Sequence, residues 1–150
     1  YALFCLIKKC SLYHVRYCIS GGDTLHNKIR MGFELLYQRK IANGYGLTES
    51  SPFVSVDLDD YHKPSGCVGK PFYGISIAIK DSAHKTLEQG KKGLLWIKGD
   101  QVMLGYYNAP EATAQVLQDG WLNTGDLAYV TTRGEIVLCG REKDIIIHNG

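Results

Sequence analysis

Ile41-Ala42-Asn43-Gly44-Tyr45-Gly46-Leu47-Thr48-Glu49-Ser50 reads as a strand that runs into a glycine turn and then into a polar stretch. Upstream the arrangement occurs once more. Val15-Arg16-Tyr17-Cys18-Ile19 is a short β-rich run that stops at Ser20-Gly21-Gly22. Between the two runs, residues 24–38 carry Leu25, Ile29, Phe33 and Leu36 near helical spacing, with Thr24 or Asp23 as N-cap. Strand, turn, helix, strand, turn is the pattern of an α/β sheet. Ligands of open α/β sheets gather at the carboxyl ends of the strands, where both glycine turns sit.

Downstream the texture changes to β. Ile75-Ser76-Ile77-Ala78-Ile79 alternates, and Leu94-Leu95-Trp96-Ile97 is a buried-strand run. Leu127-Ala128-Tyr129-Val130, Glu135-Ile136-Val137-Leu138 and Asp144-Ile145-Ile146-Ile147 follow, with glycine turns between them. One helix interrupts, with Asn108 as N-cap, Pro110 in its first turn, and Ala112, Val116 and Leu117 as its apolar face. The fold expected is α/β: the end of a doubly wound α/β sheet, then a small distorted β-barrel. The expected division is 1–51 for the α/β part, 52–140 for the barrel-like part and 141–150 for a terminal piece.

Composition removes several function classes. The 150 residues are 45% hydrophobic and 21% charged, with a net charge of +2, which suits a globular chain and not a disordered one. Basic residues cluster only in pairs such as Lys8-Lys9 and Lys91-Lys92, so no nucleic-acid partner is expected. The five cysteines are odd in number and lack CxxC spacing, which argues for reduced thiols in a cytoplasmic protein rather than for disulfides or zinc. The apolar run at 1–7 is too short to span a bilayer and has no basic segment before it, so neither a transmembrane segment nor a signal peptide is expected. Membrane-peripheral placement stays open. The chain starts without Met and stops directly after a strand-like run, and the expectation is a piece of something longer.

Four motifs could carry chemistry. In Gly44-Tyr45-Gly46-Leu47-Thr48-Glu49-Ser50, two glycines flank a ring at a strand end, so a flat ligand can come close. The Thr48 hydroxyl suits a phosphate oxygen. The Glu49 carboxylate suits magnesium, a hard cation that shares its oxygen ligands with nucleotide phosphates. The alternative is a loop in which both residues merely start a helical turn. In Asp119-Gly120-Trp121-Leu122-Asn123-Thr124-Gly125-Asp126-Leu127, Asp126 could accept both hydrogen bonds of a ribose diol, or close a tight turn. Gly140-Arg141-Glu142-Lys143-Asp144 is at minimum a solvated turn, in which the Arg141 fork could reach ribose or phosphate. Ser20-Gly21-Gly22 exposes backbone that could line a base.

The order of these motifs resembles the adenylate-forming (AMP-binding) superfamily of acyl-CoA synthetases, nonribosomal-peptide adenylation domains and beetle luciferases. Gly44 to Ser50 is similar to its YGxTE motif. Gly93 to Gly99 with Tyr106-Tyr107 is similar to its GELxxxG…GY segment, with Leu94 where Glu is common. Asp119 to Asp126 is similar to DGWxxTGD, and Gly134 to Gly150 to GxIxxxGRxKDxI…G. After Gly22 the family usually has a small residue and then Pro, where this chain has Asp23-Thr24.

The resemblance implies an internal fragment of the large N-terminal domain of an AMP-forming acyl-CoA synthetase, of the long-chain fatty acid–CoA ligase type. ATP would be attacked at its α-phosphate by a carboxylic acid, and the acyl group of the acyl-AMP would pass to coenzyme A, with magnesium as cofactor. Gly21 and Gly22 would border adenine, and Tyr45, between Gly44 and Gly46, would stack on it. Thr48 would contact phosphate and Glu49 would hold magnesium, making these two the catalytic residues. Asp126 and Arg141 would bind ribose, and Lys143 would be the hinge to a rotating C-terminal domain. The family's phosphate loop would lie upstream and its adenylation lysine downstream, so the isolated fragment is expected to be inactive. An excised sheet exposes strand edges, so self-association is expected too. A fatty acyl-AMP ligase serving a carrier protein and a non-catalytic nucleotide-binding module are the rival readings.

Overall fold

The computed structural model describes residues 11–23, 25–58 and 63–144. The strands of the described residues form two sheets. The first has the order β1 (Cys18–Ser20), β2 (Ile41–Tyr45), β3 (Ser55–Val56), β4 (Lys70–Pro71). β1 and β2 run parallel, with Cys18 opposite Ile41 and Ser20 opposite Asn43, and the other pairs are antiparallel. A parallel pair needs a crossover, and helix α1 (Asn27–Tyr37) supplies it. The helix begins later than the sequence suggested. His26 is its N-cap, with no side-chain cap bond, so Asp23 does not cap it, and Thr24 lies outside the described residues. It ends where Gln38 turns left-handed at φ 51° and returns its side-chain amide to the Leu35 carbonyl at 2.8 Å.

The glycine motif is placed differently from the expectation. Gly44 and Tyr45 are not a turn; they remain in β2 because Val56 and Ser55 of β3 continue the ladder opposite them. The bend comes at Gly46. A Cβ there would lie 1.6 Å from the Pro52 carbonyl oxygen, so only glycine permits that approach.

The second sheet has the order β5 (Ser76–Lys80), β6 (Gly93–Lys98), β8 (Trp121–Val130), β7 (Leu117–Gln118), with β9 (Ile136–Arg141) also paired to β8. Register shifts at Leu94/Trp96 and at Leu127/Ala128 bend β8 against its neighbours, and the sheet curls into a half barrel. Consecutive residues Leu94 to Ile97 are all buried, so β6 is covered on both faces, which explains its unbroken apolar run.

The stretch from Trp121 to Asp126 is strand, not turn. The turn lies just before it, where Asp119 at φ 51° and Gly120 at φ 77° join Gln118 to Trp121. Two left-handed central residues make a type I′ hairpin, whose twist matches the strands. Helix α2 (Pro110–Val116) has Ala109 at its N-cap. Asn108 sits one residue earlier in a left-handed conformation, so the expected cap moves by one. Likewise β9 continues through Gly140 and Arg141 before one 3-10 turn at Glu142–Asp144. The expected strand run after Asp144 lies outside the described residues.

The core comprises Tyr45, Val54, Val68, Ile79, Leu95, Ile97, Leu122, Ala128 and Ile136. The sheets are stitched by residues 66–69 lying along β9. Val68 N donates to Ile136 O and Ile136 N to Gly69 O, both at 2.9 Å, and Leu138 N donates to Gly66 O at 2.9 Å. Among the described residues no helix is long and apolar enough to cross a membrane.

Candidate functional site

The site lies where the carboxyl end of β2 meets the middle of β8. Tyr45 ends β2 with its ring in the core, and its hydroxyl donates to Asp126 Oδ2 at 2.5 Å. Asp126 and Arg141 are cross-strand partners on β8 and β9, and Arg141 Nε lies 3.2 Å from Asp126 Oδ1. Asp126 is 5% exposed, whereas the Arg141 side chain is 67% exposed. A nearly buried carboxylate thus has a partner on each oxygen and one charge open to solvent. Its backbone is held too. Asp126 N donates to Thr124 Oγ1 at 3.1 Å, and Thr124 Oγ1 donates to Leu95 O at 2.9 Å. Burial, and then the hydrogen bond to Asp126, push the Tyr45 phenol far above its ordinary pKa, so it stays a donor throughout the physiological range.

Two clefts open beside this junction. The first, about 720 Å³, is bordered by Gly22, Asp23, Gly44, Tyr45, Asp126 and Arg141. The second, about 660 Å³, is bordered by Thr48, Glu49, Tyr106, Asn123, Arg141 and Lys143. Gly46, Leu47 and Arg141 line both, so the clefts adjoin. A further cleft of about 650 Å³ lies by α1 and the β1–β2 edge, and no residue of the four motifs lines it.

Thr48–Ser50 forms one 3-10 turn at the foot of the second cleft. Ser50 Oγ stabilises it by donating to Leu47 O at 2.9 Å and accepting from Leu47 N at 3.0 Å. Thr48 is exposed and Glu49 half-buried. Glu49 Oε1 accepts the Tyr106 hydroxyl at 2.7 Å. That bond, with a smaller contribution from burial, raises the Tyr106 pKa. Among the described residues no cluster of three or more His, Cys, Asp or Glu could hold a metal. Glu49 therefore stands outside any such cluster among the described residues. Such a donor fits magnesium shared with phosphates and waters, and does not fit an all-protein cage.

A family model described as AMP-binding enzyme matches residues 5–107. The chain belongs to the AMP-binding enzyme family. It is 38% identical over 136 residues to the long-chain-fatty-acid–CoA ligase of Yersinia pestis, covering 91% of this chain and 24% of that one. It is 37% identical to the medium-chain fatty-acid–CoA ligase of Escherichia coli K12, covering 91% and 24%. Among solved structures, ATP-bound MatB from Rhodopseudomonas palustris superposes with a TM-score of 0.80 at 30% identity, covering 88% of this chain and 26% of that one. The chain spans about a quarter of the length of the curated relatives it matches.

In this member of the AMP-binding enzyme family the motif residues sort unevenly. Gly22, Gly44, Tyr45, Gly46, Asp126 and Arg141 border the first cleft, and Thr48, Glu49 and Lys143 the second. Gly21 borders neither; it backs onto the Gly44 carbonyl, where an added Cβ would sit 3.3 Å from the oxygen. Tyr45 is 7% exposed, packs in the core and still borders the first cleft. Sequence reasoning missed Tyr106 as a partner of Glu49, since no local pattern links residues so far apart. It also missed a buried charge group. Lys63 pairs with Asp57, lies 3.6 Å from Glu135 Oε1, and Thr131 Oγ1 donates to Glu135 Oε2 at 3.1 Å. That group lies by the stitch between the sheets and has no motif signal.

Proposed function

We propose that the chain is an internal part of a longer ATP-dependent acyl-CoA synthetase that activates a fatty acid as acyl-AMP and hands it to coenzyme A. The observation that supports this best is the Tyr45–Asp126–Arg141 bridge at the mouth of one cleft, beside a second cleft that presents Thr48 and Glu49. In this reading the lone pairs left on Asp126 accept the ribose hydroxyls, and the exposed guanidinium of Arg141 adds a donor above them. Gly22, with Gly21 behind it, and the Gly44–Gly46 backbone border adenine. Tyr45 stacks on the adenine, and its hydroxyl orients Asp126. Thr48 donates to phosphate, and Glu49 is the protein carboxylate for magnesium, which would supply charge stabilisation on the phosphates. Lys143 is the hinge, in the terminal piece 141–150.

The chemistry is a displacement at the α-phosphate with loss of pyrophosphate, then attack of the thiolate on the acyl carbon with loss of AMP. The residues of this chain orient and neutralise; none serves as a covalent nucleophile. A fatty substrate is favoured because both ligase relatives described above are named for fatty acids. A cytoplasmic site of action, an inactive isolated chain and its self-association belong to the same proposal.

The test is ATP–pyrophosphate exchange by the longer protein that carries this chain, with acids from acetate to palmitate, with and without coenzyme A. Exchange that rises with fatty acids, and AMP release that needs coenzyme A, is the expected result. Exchange with AMP release that coenzyme A does not raise would point to transfer onto a carrier protein. No exchange with any acid would leave a module that at most binds nucleotide.

A further inference from the structure

The segment between β6 and α2 grips Glu49 twice. Met103 N donates to the Glu49 main-chain oxygen at 2.9 Å, and the Tyr106 hydroxyl donates to its Oε1 at 2.7 Å. Tyr106 is in turn fixed from α2. Its backbone N–H donates to Thr113 Oγ1 at 2.9 Å, and Thr113 Oγ1 donates to Ala109 O at 2.9 Å. Glu49 follows the first sheet's β2, whereas Tyr106 and Thr113 lie within the chain of the half barrel. A carboxylate supplied by one half is therefore aimed by a hydroxyl supplied by the other. Its second oxygen, Oε2, has no partner among the described residues, and both side chains line the same cleft.

We propose that Tyr106 is a positioning residue for Glu49, holding the carboxylate by Oε1 so that Oε2 is ready for a magnesium ion carried in with the phosphates of ATP. The inference rests on the reading of Glu49 as the magnesium carboxylate. A glutamate has several rotatable bonds that a metal must otherwise freeze on binding, and a side chain already held loses less freedom. Hydrogen bonds to ligating carboxylates also set their orientation. A phenol suits the task because it can hold one oxygen without bringing a competing positive charge into the cleft.

The experiment compares the longer protein with its Tyr106→Phe, Thr113→Val, Glu49→Gln and Tyr107→Phe variants. Manganese binding to the protein–ATP complex is read from the free-ion resonance signal, and magnesium dependence from ATP–pyrophosphate exchange. Tyr106→Phe is expected to weaken manganese binding by about three- to tenfold, the value of one lost hydrogen bond. Half-saturating magnesium should rise by a similar factor while the KM for the acid stays put. Thr113→Val, which withdraws the anchor of Tyr106, should shift manganese binding in the same direction and gives a reading even where the phenylalanine variant folds poorly. Tyr107→Phe, at a residue 93% exposed, should move neither measurement. Wild-type manganese affinity in both Tyr106→Phe and Thr113→Val, with Glu49→Gln impaired, overturns the role of Tyr106. Unchanged manganese binding in Glu49→Gln instead sinks the magnesium reading of Glu49, and the positioning role with it.

Discussion

The half barrel and the first sheet divide their labour unequally. The half barrel supplies Ile79, Leu95, Ile97, Leu122, Ala128 and Ile136 to the core. The first sheet contributes Tyr45, with Val54 and Val68 from the segments beside its strands, and its helix α1 buries no residue at all. Polar chemistry is shared more evenly. Tyr45, Thr48 and Glu49 come from one side, and Asp126, Arg141 and Tyr106 from the other. The lesson is that one half carries the stability while the site belongs to the seam. Such a seam orders polar groups only when both halves are in place.

The strongest way to break this comparison is to cut into the two halves separately. Leu95→Ala empties a position with 0% exposure and should cost about 2–5 kcal/mol. Urea unfolding followed by tryptophan fluorescence gives the value. A loss below about 1 kcal/mol would mean that the barrel is not the main core.

A smaller effect probes the seam itself. Tyr45→Phe leaves a buried oxygen of Asp126 without its donor and should cost about 1–3 kcal/mol. Tyr45 also has a pH signature. Its folded pKa is raised, so the contribution is fully present below the unfolded value near 10 and drains away as the pH climbs beyond it toward the folded value. Wild-type stability should therefore fall more steeply above pH 10 than that of Tyr45→Phe, as read from unfolding curves at successive pH values. Parallel curves for the two proteins would show that the phenol is not protected by folding.

The smallest expected change sharpens the contrast from the other side. Leu35 is 77% exposed on α1, and Leu35→Ala should shift the stability of the 150-residue chain by no more than about 0.5 kcal/mol. Leu35→Lys should instead reduce the proposed self-association in sedimentation runs, because Ile29, Met31 and Leu35 are exposed. Association that ignores Leu35→Lys would move the sticky surface elsewhere, to strand edges.

Much of the fold was legible because local chemistry and tertiary structure agree. The alternation around β5, the unbroken run of β6 and the strand–helix–strand order upstream all follow from burial on one or two faces. Two glycine-containing motifs misled for a shared reason. Gly44 and Gly125 look like turn residues in isolation, yet they sit in β2 and β8 because neighbouring strands complete the ladders there. The half-site residues Glu49 and Asp126 were visible as carboxylates in glycine-rich company. Arg141 was visible as well, in the motif that follows Asp126, but Tyr106 was not visible as the partner of Glu49, since it reaches Glu49 only after chain segments far apart have packed. The Asp57–Lys63–Glu135 group was hidden most completely, because scattered charges look like solvated surface until the fold encloses them.

The stitch along residues 66–69 also bears on synthesis. Val68 N and the carbonyls of Gly66 and Gly69 find their backbone partners only in Ile136 and Leu138. A ribosome adding about 5–20 residues per second needs some seconds to make the roughly 70 residues in between. Until then the upstream piece carries amides and carbonyls whose backbone partners do not yet exist. It is a half-closed zip whose last teeth are made at the end, and it is the stage at which a holding chaperone would have most to grasp.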